Sequence, residues 1–206
     1  WDHHAWKGSE NGQWADIQDL LYSKNSLNGI EVFNGVEDAY YPQAFKWALE
    51  KNLTIFANSD MHAPFLITKT TADEHRTMTL VFAKERSSES VHEALLAGRT
   101  AAWHKNMVVG KEEYLAPLVN ACLEITSVKF SNGYVTFSIT NTSDLNMILT
   151  HSQQGYKNFI ELPANSSVKT KLDASPEATA IGLDYHVENF LIAPDKTLTC
   201  KLIVKR

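Results

Sequence analysis

The chain has 206 residues, 44% hydrophobic and 21% charged, with a net charge of −5. That composition is globular and excludes a disordered chain, and without a run of about 18 apolar residues it offers no span across a bilayer. The acidic excess lies wholly in the first 122 residues, with eleven basic against sixteen acidic and eight of each afterwards, so the sequence offers no basic surface for nucleic acid.

In chain order, Trp14, Ile17, Leu20 and Leu21 have helical spacing over Trp14–Ser23. Gly29 opens a strand-like run, Ile30–Phe33. Pro42 suits the first turn of a second helix through Phe45, Trp47 and Leu49, and Trp14 and Trp47 read as core. The apolar run Leu53–Ala57 ends on Asn58-Ser59-Asp60-Met61-His62. Met78–Phe82 is a buried-strand candidate. Ser87 can cap a helix through Val91, Leu95 and Leu96 that stops at Gly98. Thr100–Trp103 reads as a strand and Lys111–Ala121 as a helix. Strands alternating with helices predict parallel βα units, whose functional groups gather at the C-terminal strand ends.

After Leu123 the pattern changes. Ile125–Phe130 and Tyr134–Thr140 flank Asn132-Gly133, a hairpin signal. Short strand-like runs at Met147–Thr150, Val168–Leu172, Ala180–Leu183 and Leu198–Val204 predict an antiparallel β-sandwich. The expected division is therefore 1–122 and 123–206. Cys122 and Cys200, the only cysteines, make neither a disulfide framework nor a zinc pattern.

Asp60 and His62 stand two apart at the end of an apolar run. If the chain is still extended there, both side chains leave one face and can hold a divalent cation. Asp-x-His alone is a short and common pattern, so its place after a strand is what gives it meaning. Arg76 has two readings: a guanidinium fork for a phosphate, or an ion pair with Asp73 or Glu74. His75, His92, His104, His151 and His186 read as surface residues, and His104, which follows a strand, fits that reading least well.

Asn58–His62, Asp2-His3-His4-Ala5-Trp6, Gly29–Asn34, His75–Ala83 and Ala94–Thr100 together resemble the PHP family, the polymerase and histidinol phosphatase superfamily. The first matches that family's closing Ser-Asp-x-His motif, and the second is similar to its Asn-His-Pro-Gly-Trp motif. The resemblance covers roughly residues 1–120. It implies an α/β fold: the C-terminal part of a distorted (β/α)7 barrel, followed by an all-β sandwich accessory domain. It implies two or three divalent ions (Mn, Zn or Fe), with His3, Asp60 and His62 as ligands and Asp60 and His62 as catalytic residues. Arg76, Asn34 and Trp6 would contact a small phosphorylated substrate, a phosphomono- or diester. Glu31 would lie inside the barrel, as a hydrogen-bonded strand carboxylate more readily than as a ligand.

The family's opening His-x-His motif does not occur in this sequence. The expectation is therefore a fragment, inactive alone, whose partner is the missing N-terminal part of the same barrel. An amidohydrolase-type metalloenzyme and a non-catalytic binding or scaffold protein are the rival readings. By analogy, the appended sandwich favours a periplasmic or secreted address.

Overall fold

The computed structural model describes residues 14–36, 38–62, 75–151 and 159–206; among them are four helices and thirteen strands. In the first half these are α1 (Asp16–Ser23), β1 (Gly29–Asn34), β2 (Ala39–Tyr40), α2 (Pro42–Glu50), β3 (Thr54–Asn58), β4 (Met78–Val81), α3 (Ser88–Leu96), β5 (Thr100–His104), β6 (Met107–Gly110) and α4 (Glu112–Cys122). Pro42 sits in the first turn of α2, where its missing N–H costs nothing. Ser87 caps α3, its hydroxyl accepting the Ser90 N–H at 3.2 Å. Trp47 is buried and meets the Trp14 ring edge-on at 5.3 Å.

The second half is all strand: β7 (Leu123–Ser131), β8 (Tyr134–Asn141), β9 (Met147–His151), β10 (Phe159–Leu162), β11 (Ser166–Asp173), β12 (Ala180–Ala193) and β13 (Lys196–Lys205). Gly133 turns the β7–β8 hairpin at φ 81°, where a Cβ would be strained. A sheet of order β11-β8-β7 faces β10-β9-β12 with β13 beside β12. Strict alternation along β8 and β13 sends Val135, Phe137, Ile139, Leu198, Cys200, Leu202 and Val204 into one core. No helix among the described residues is long and apolar enough to cross a membrane.

The barrel expectation is overturned. Among the described residues the chain is mostly β, in three sheets, and no closed ring of parallel strands is present. β1 and β3 pair in parallel, but β2 joins β1 antiparallel. β4, β5 and β6 are antiparallel neighbours. For β5 and β6 the reason is local: His104 pairs with Met107 across the two-residue turn Lys105-Asn106, and so short a link permits only an antiparallel hairpin. Sequence reading ran β5 directly into the next helix and missed β6.

β6 also pairs in parallel with the far end of β12, at Phe190 and Leu191. One seven-stranded sheet thus runs across the position where the sequence changes character. Val32, Phe33, Phe45, Ile55, Ala102 and Val109 make a second core under α2. The two sheets of the first half meet through threonine hydroxyls. Thr79 Oγ1 accepts the Ala57 N–H at 2.9 Å and donates to the Ala57 carbonyl at 3.0 Å. Thr100 Oγ1 accepts the Ile55 N–H at 3.2 Å.

Candidate metal centre

β3 ends at Asn58, and the chain leaves the sheet through Ser59 and Asp60. Asp60 has φ 50°, a left-handed conformation that Asp tolerates better than most residues. The extended geometry anticipated for this segment is therefore absent. A turn, not a pleat, brings the two side chains together: His62 Nε2 stands 3.1 Å from Asp60 Oδ1. Both are open to solvent, His62 82% and Asp60 41% exposed at the side chain.

Three contacts fix the surroundings of this pair. Asn34, at the end of the neighbouring strand, donates from Nδ2 to Asp60 Oδ2 at 3.2 Å. Arg76 donates from Nη2 to the Ser59 hydroxyl at 3.0 Å. Asn58 donates to Glu31 Oε1 at 2.9 Å, so Glu31 is a hydrogen-bonded strand carboxylate here. Gly35 is needed at its position: a Cβ there would stand 2.8 Å from Thr77 Oγ1 and 2.9 Å from the Ser59 carbonyl.

The Asp60–His62 pair suits one edge of a coordination shell. Two donors each bound at about 2.1 Å to one octahedral ion stand about 3 Å apart. A carboxylate oxygen beside an imidazole nitrogen is a donor set for Zn, Mn or Fe. Among the described residues no group of three His, Cys, Asp or Glu converges. His3, the third ligand the resemblance implies, and Trp6 lie outside the described residues, as does His4.

Of the other expected site residues, Asn34 is nearly enclosed, at 6% exposed, and its amide faces Asp60. Arg76 is at the surface beside the motif. Its alternative partners Asp73 and Glu74 lie outside the described residues.

A second cluster lies beside Phe33. His104, expected at the surface, is only 12% exposed at its side chain and stacks on Phe33 at 5.3 Å. Its Nε2 donates to Asp38 Oδ1 at 2.7 Å, which leaves Nδ1 to accept from the Thr77 hydroxyl at 2.6 Å. Lys105 donates to the other Asp38 oxygen. The Lys105 hydrogen bond, with that of His104 behind it, holds the Asp38 carboxyl below its ordinary value. Asp38, His104 and Lys105 border a cleft of about 450 Å³ walled by Phe33, Tyr40, Met107 and Ile148. Burial pushes the Tyr40 hydroxyl up to about 12. No spacing in the sequence relates residues 38, 77 and 104; the one signal was a histidine directly after a strand.

His75 is half-buried rather than exposed, packed on Trp103 at 3.7 Å, with a ring nitrogen 2.8 Å from the Lys105 carbonyl. His151 is buried against Tyr185, ring centroids 5.0 Å apart.

Residues 123–203 match the family model of an Ig-like domain. The whole chain is similar to the crystal structure of a two-domain protein from Bacteroides vulgatus that contains a predicted PHP-like metal-dependent phosphoesterase. That likeness has 34% identity and a TM-score of 0.85, over 98% of this chain and 61% of the other. The chain thus spans about three-fifths of that protein's length. No curated protein matches.

Proposed function

We propose that this chain carries the closing part of a PHP-type metal-dependent phosphoesterase site, with Asp60 and His62 as metal ligands. The observation that supports this best is the 3.1 Å approach of Asp60 Oδ1 to His62 Nε2 at the end of β3, with the Arg76 guanidinium anchored next door on Ser59. The likeness to a protein containing a PHP-like phosphoesterase supports the same class. By the family resemblance, His3, which lies outside the described residues, would be a further ligand.

A divalent ion held there supplies Lewis-acid activation of water and positive charge for the phosphoryl oxygens. Asp60 and His62 would hold that ion. Asn34 and Ser59 set the frame around it. Arg76, bonded to Ser59 next to Asp60, would offer a planar fork to phosphate oxygens, a role Lys fills less well. The substrate class is a small phosphomono- or diester.

The test is Mn²⁺-dependent hydrolysis of bis(p-nitrophenyl) phosphate by the full gene product. Asp60→Ala is expected to lower kcat/KM by at least about a hundredfold, an effect of roughly 3 kcal/mol on the barrier. Normal turnover by Asp60→Ala removes Asp60 from the site. Turnover of amides in place of phosphate esters moves the protein to the amidohydrolase class.

A further inference from the structure

Asn34 is 6% exposed, while the Asp60 and His62 side chains beside it are open to solvent, and its amide bridges the Asp60 carboxylate and the Val36 N–H. We propose that Asn34 is a positioning residue that sets the Asp60 carboxylate for metal binding, and does not itself touch substrate. The proposal rests on reading Asp60 and His62 as metal ligands.

The orientation of the amide is determined. Asn34 Oδ1 accepts the Val36 N–H at 3.1 Å, and a backbone donor can be met only by the oxygen end. The nitrogen end therefore faces Asp60, where it donates to Oδ2 at 3.2 Å. That leaves Oδ1 turned toward His62 Nε2, the edge a metal ion would share.

The backbone holds this arrangement in register. Asn34 pairs with Asn58 across the parallel β1–β3 ladder, and the Gly35 N–H donates to the Asn58 carbonyl at 2.9 Å. Two residues after Asn58, the left-handed turn at Asp60 brings its carboxylate back over the end of β1. An amide suits this task chemically. It fixes the rotation of a carboxylate while leaving its full negative charge for a cation, whereas Lys or Arg in its place would compete with the metal.

Substrate contact and positioning predict different readouts. Asn34→Leu keeps the branched side-chain skeleton and removes both the donor to Asp60 and the acceptor of the Val36 N–H. In the full gene product, calorimetry with Mn²⁺ is expected to show affinity lowered ten- to a hundredfold, the usual loss for a partner that orients a ligand. At saturating Mn²⁺, the KM for bis(p-nitrophenyl) phosphate is expected to stay within about twofold of wild type. Unchanged Mn²⁺ affinity with a raised KM overturns the proposal in favour of substrate contact. Unchanged affinity in Asn34→Leu, alongside loss of binding in Asp60→Ala, overturns positioning alone. Wild-type Mn²⁺ binding by Asp60→Ala takes down the metal-site reading and this proposal together.

Should Asn34→Leu fail to fold, the wild-type protein decides by NMR. The Asn34 side-chain amide protons are expected to shift on adding Zn²⁺ and to shift again in Asp60→Ala, whose site is solvent-exposed. Resonances unmoved by both overturn the proposal.

Discussion

The hydroxyl of Thr100, wholly buried, accepts the backbone N–H of Ile55 at 3.2 Å, and so takes the place of a ladder bond on the open edge of β3. Thr79 does the same one turn of the pleat further on, at Ala57. Valine at either position keeps the shape and strands a backbone N–H. Thr100→Val is expected to cost about 1–3 kcal/mol, the price of an unpaired buried donor, read from urea denaturation. Thr79→Val should fall in the same range and also loosen the segment leading to Asp60, which hydrogen exchange at Ala57 reports.

Asn189 joins the two halves of the molecule. Its side-chain amide donates to the Asn106 and Asn146 carbonyls, both at 2.8 Å, and accepts the Ile148 N–H at 3.0 Å. Asn189→Ala leaves three groups near the β5–β6 turn and β9 without these bonds. The expected loss is at least about 2 kcal/mol. An unchanged urea midpoint would show that solvent replaces all three.

Asp38 gives a pH-dependent contribution of definite sign. Its folded value lies below the ordinary 3.8, because Lys105 and His104 bond its charged form. Stability from this link is therefore complete above the unfolded value and is lost as pH falls through the folded one. The difference in Tm between wild type and Asp38→Asn is expected to be constant above about pH 5 and to shrink below about pH 4. The carboxylate is 57% exposed, so the difference is small.

Cys200 is buried in the sandwich core, and burial pushes its thiol up to about 11. Cys122 is buried as well. Neither thiol is expected to react with a disulfide reagent at pH 8 in the folded protein, and both should react in denaturant. Rapid labelling of either without denaturant would show that the core opens locally.

Arg76 tests the substrate side of the proposed site. Arg76→Ala is expected to raise the KM for a phosphate ester roughly ten- to a hundredfold, with Mn²⁺ affinity unchanged. Arg76→Lys should recover little, because an ammonium lacks the planar fork. A wild-type KM in Arg76→Ala would leave Arg76 as a structural partner of Ser59.

The local signals were legible because they are written within a few residues. Pro42 and Ser87 mark helix starts, Asn132-Gly133 marks a hairpin, and alternation along β8 and β13 marks a sandwich face. Asp60 and His62 could be singled out because a carboxylate and an imidazole follow an apolar strand. Their meeting, however, depends on the left-handed backbone at Asp60, which no spacing rule conveys.

What the sequence by itself determined was the secondary structure of most segments, the change to an all-β second half, and the candidate motif at Asn58–His62. Only the tertiary structure decided strand direction, the sharing of one sheet by both halves, and the partners of Asn34, Thr77 and His104. Between β5 and β6, strand direction turned on the two-residue turn at Lys105-Asn106, which forces antiparallel pairing where alternating helices and strands suggested parallel units. The contacts that surround Asp60 and His104 link residues 26, 27 and 66 positions apart. Pairs so far apart leave no periodic trace in one chain, because folding selects them by proximity in space and by the need to satisfy buried polar groups.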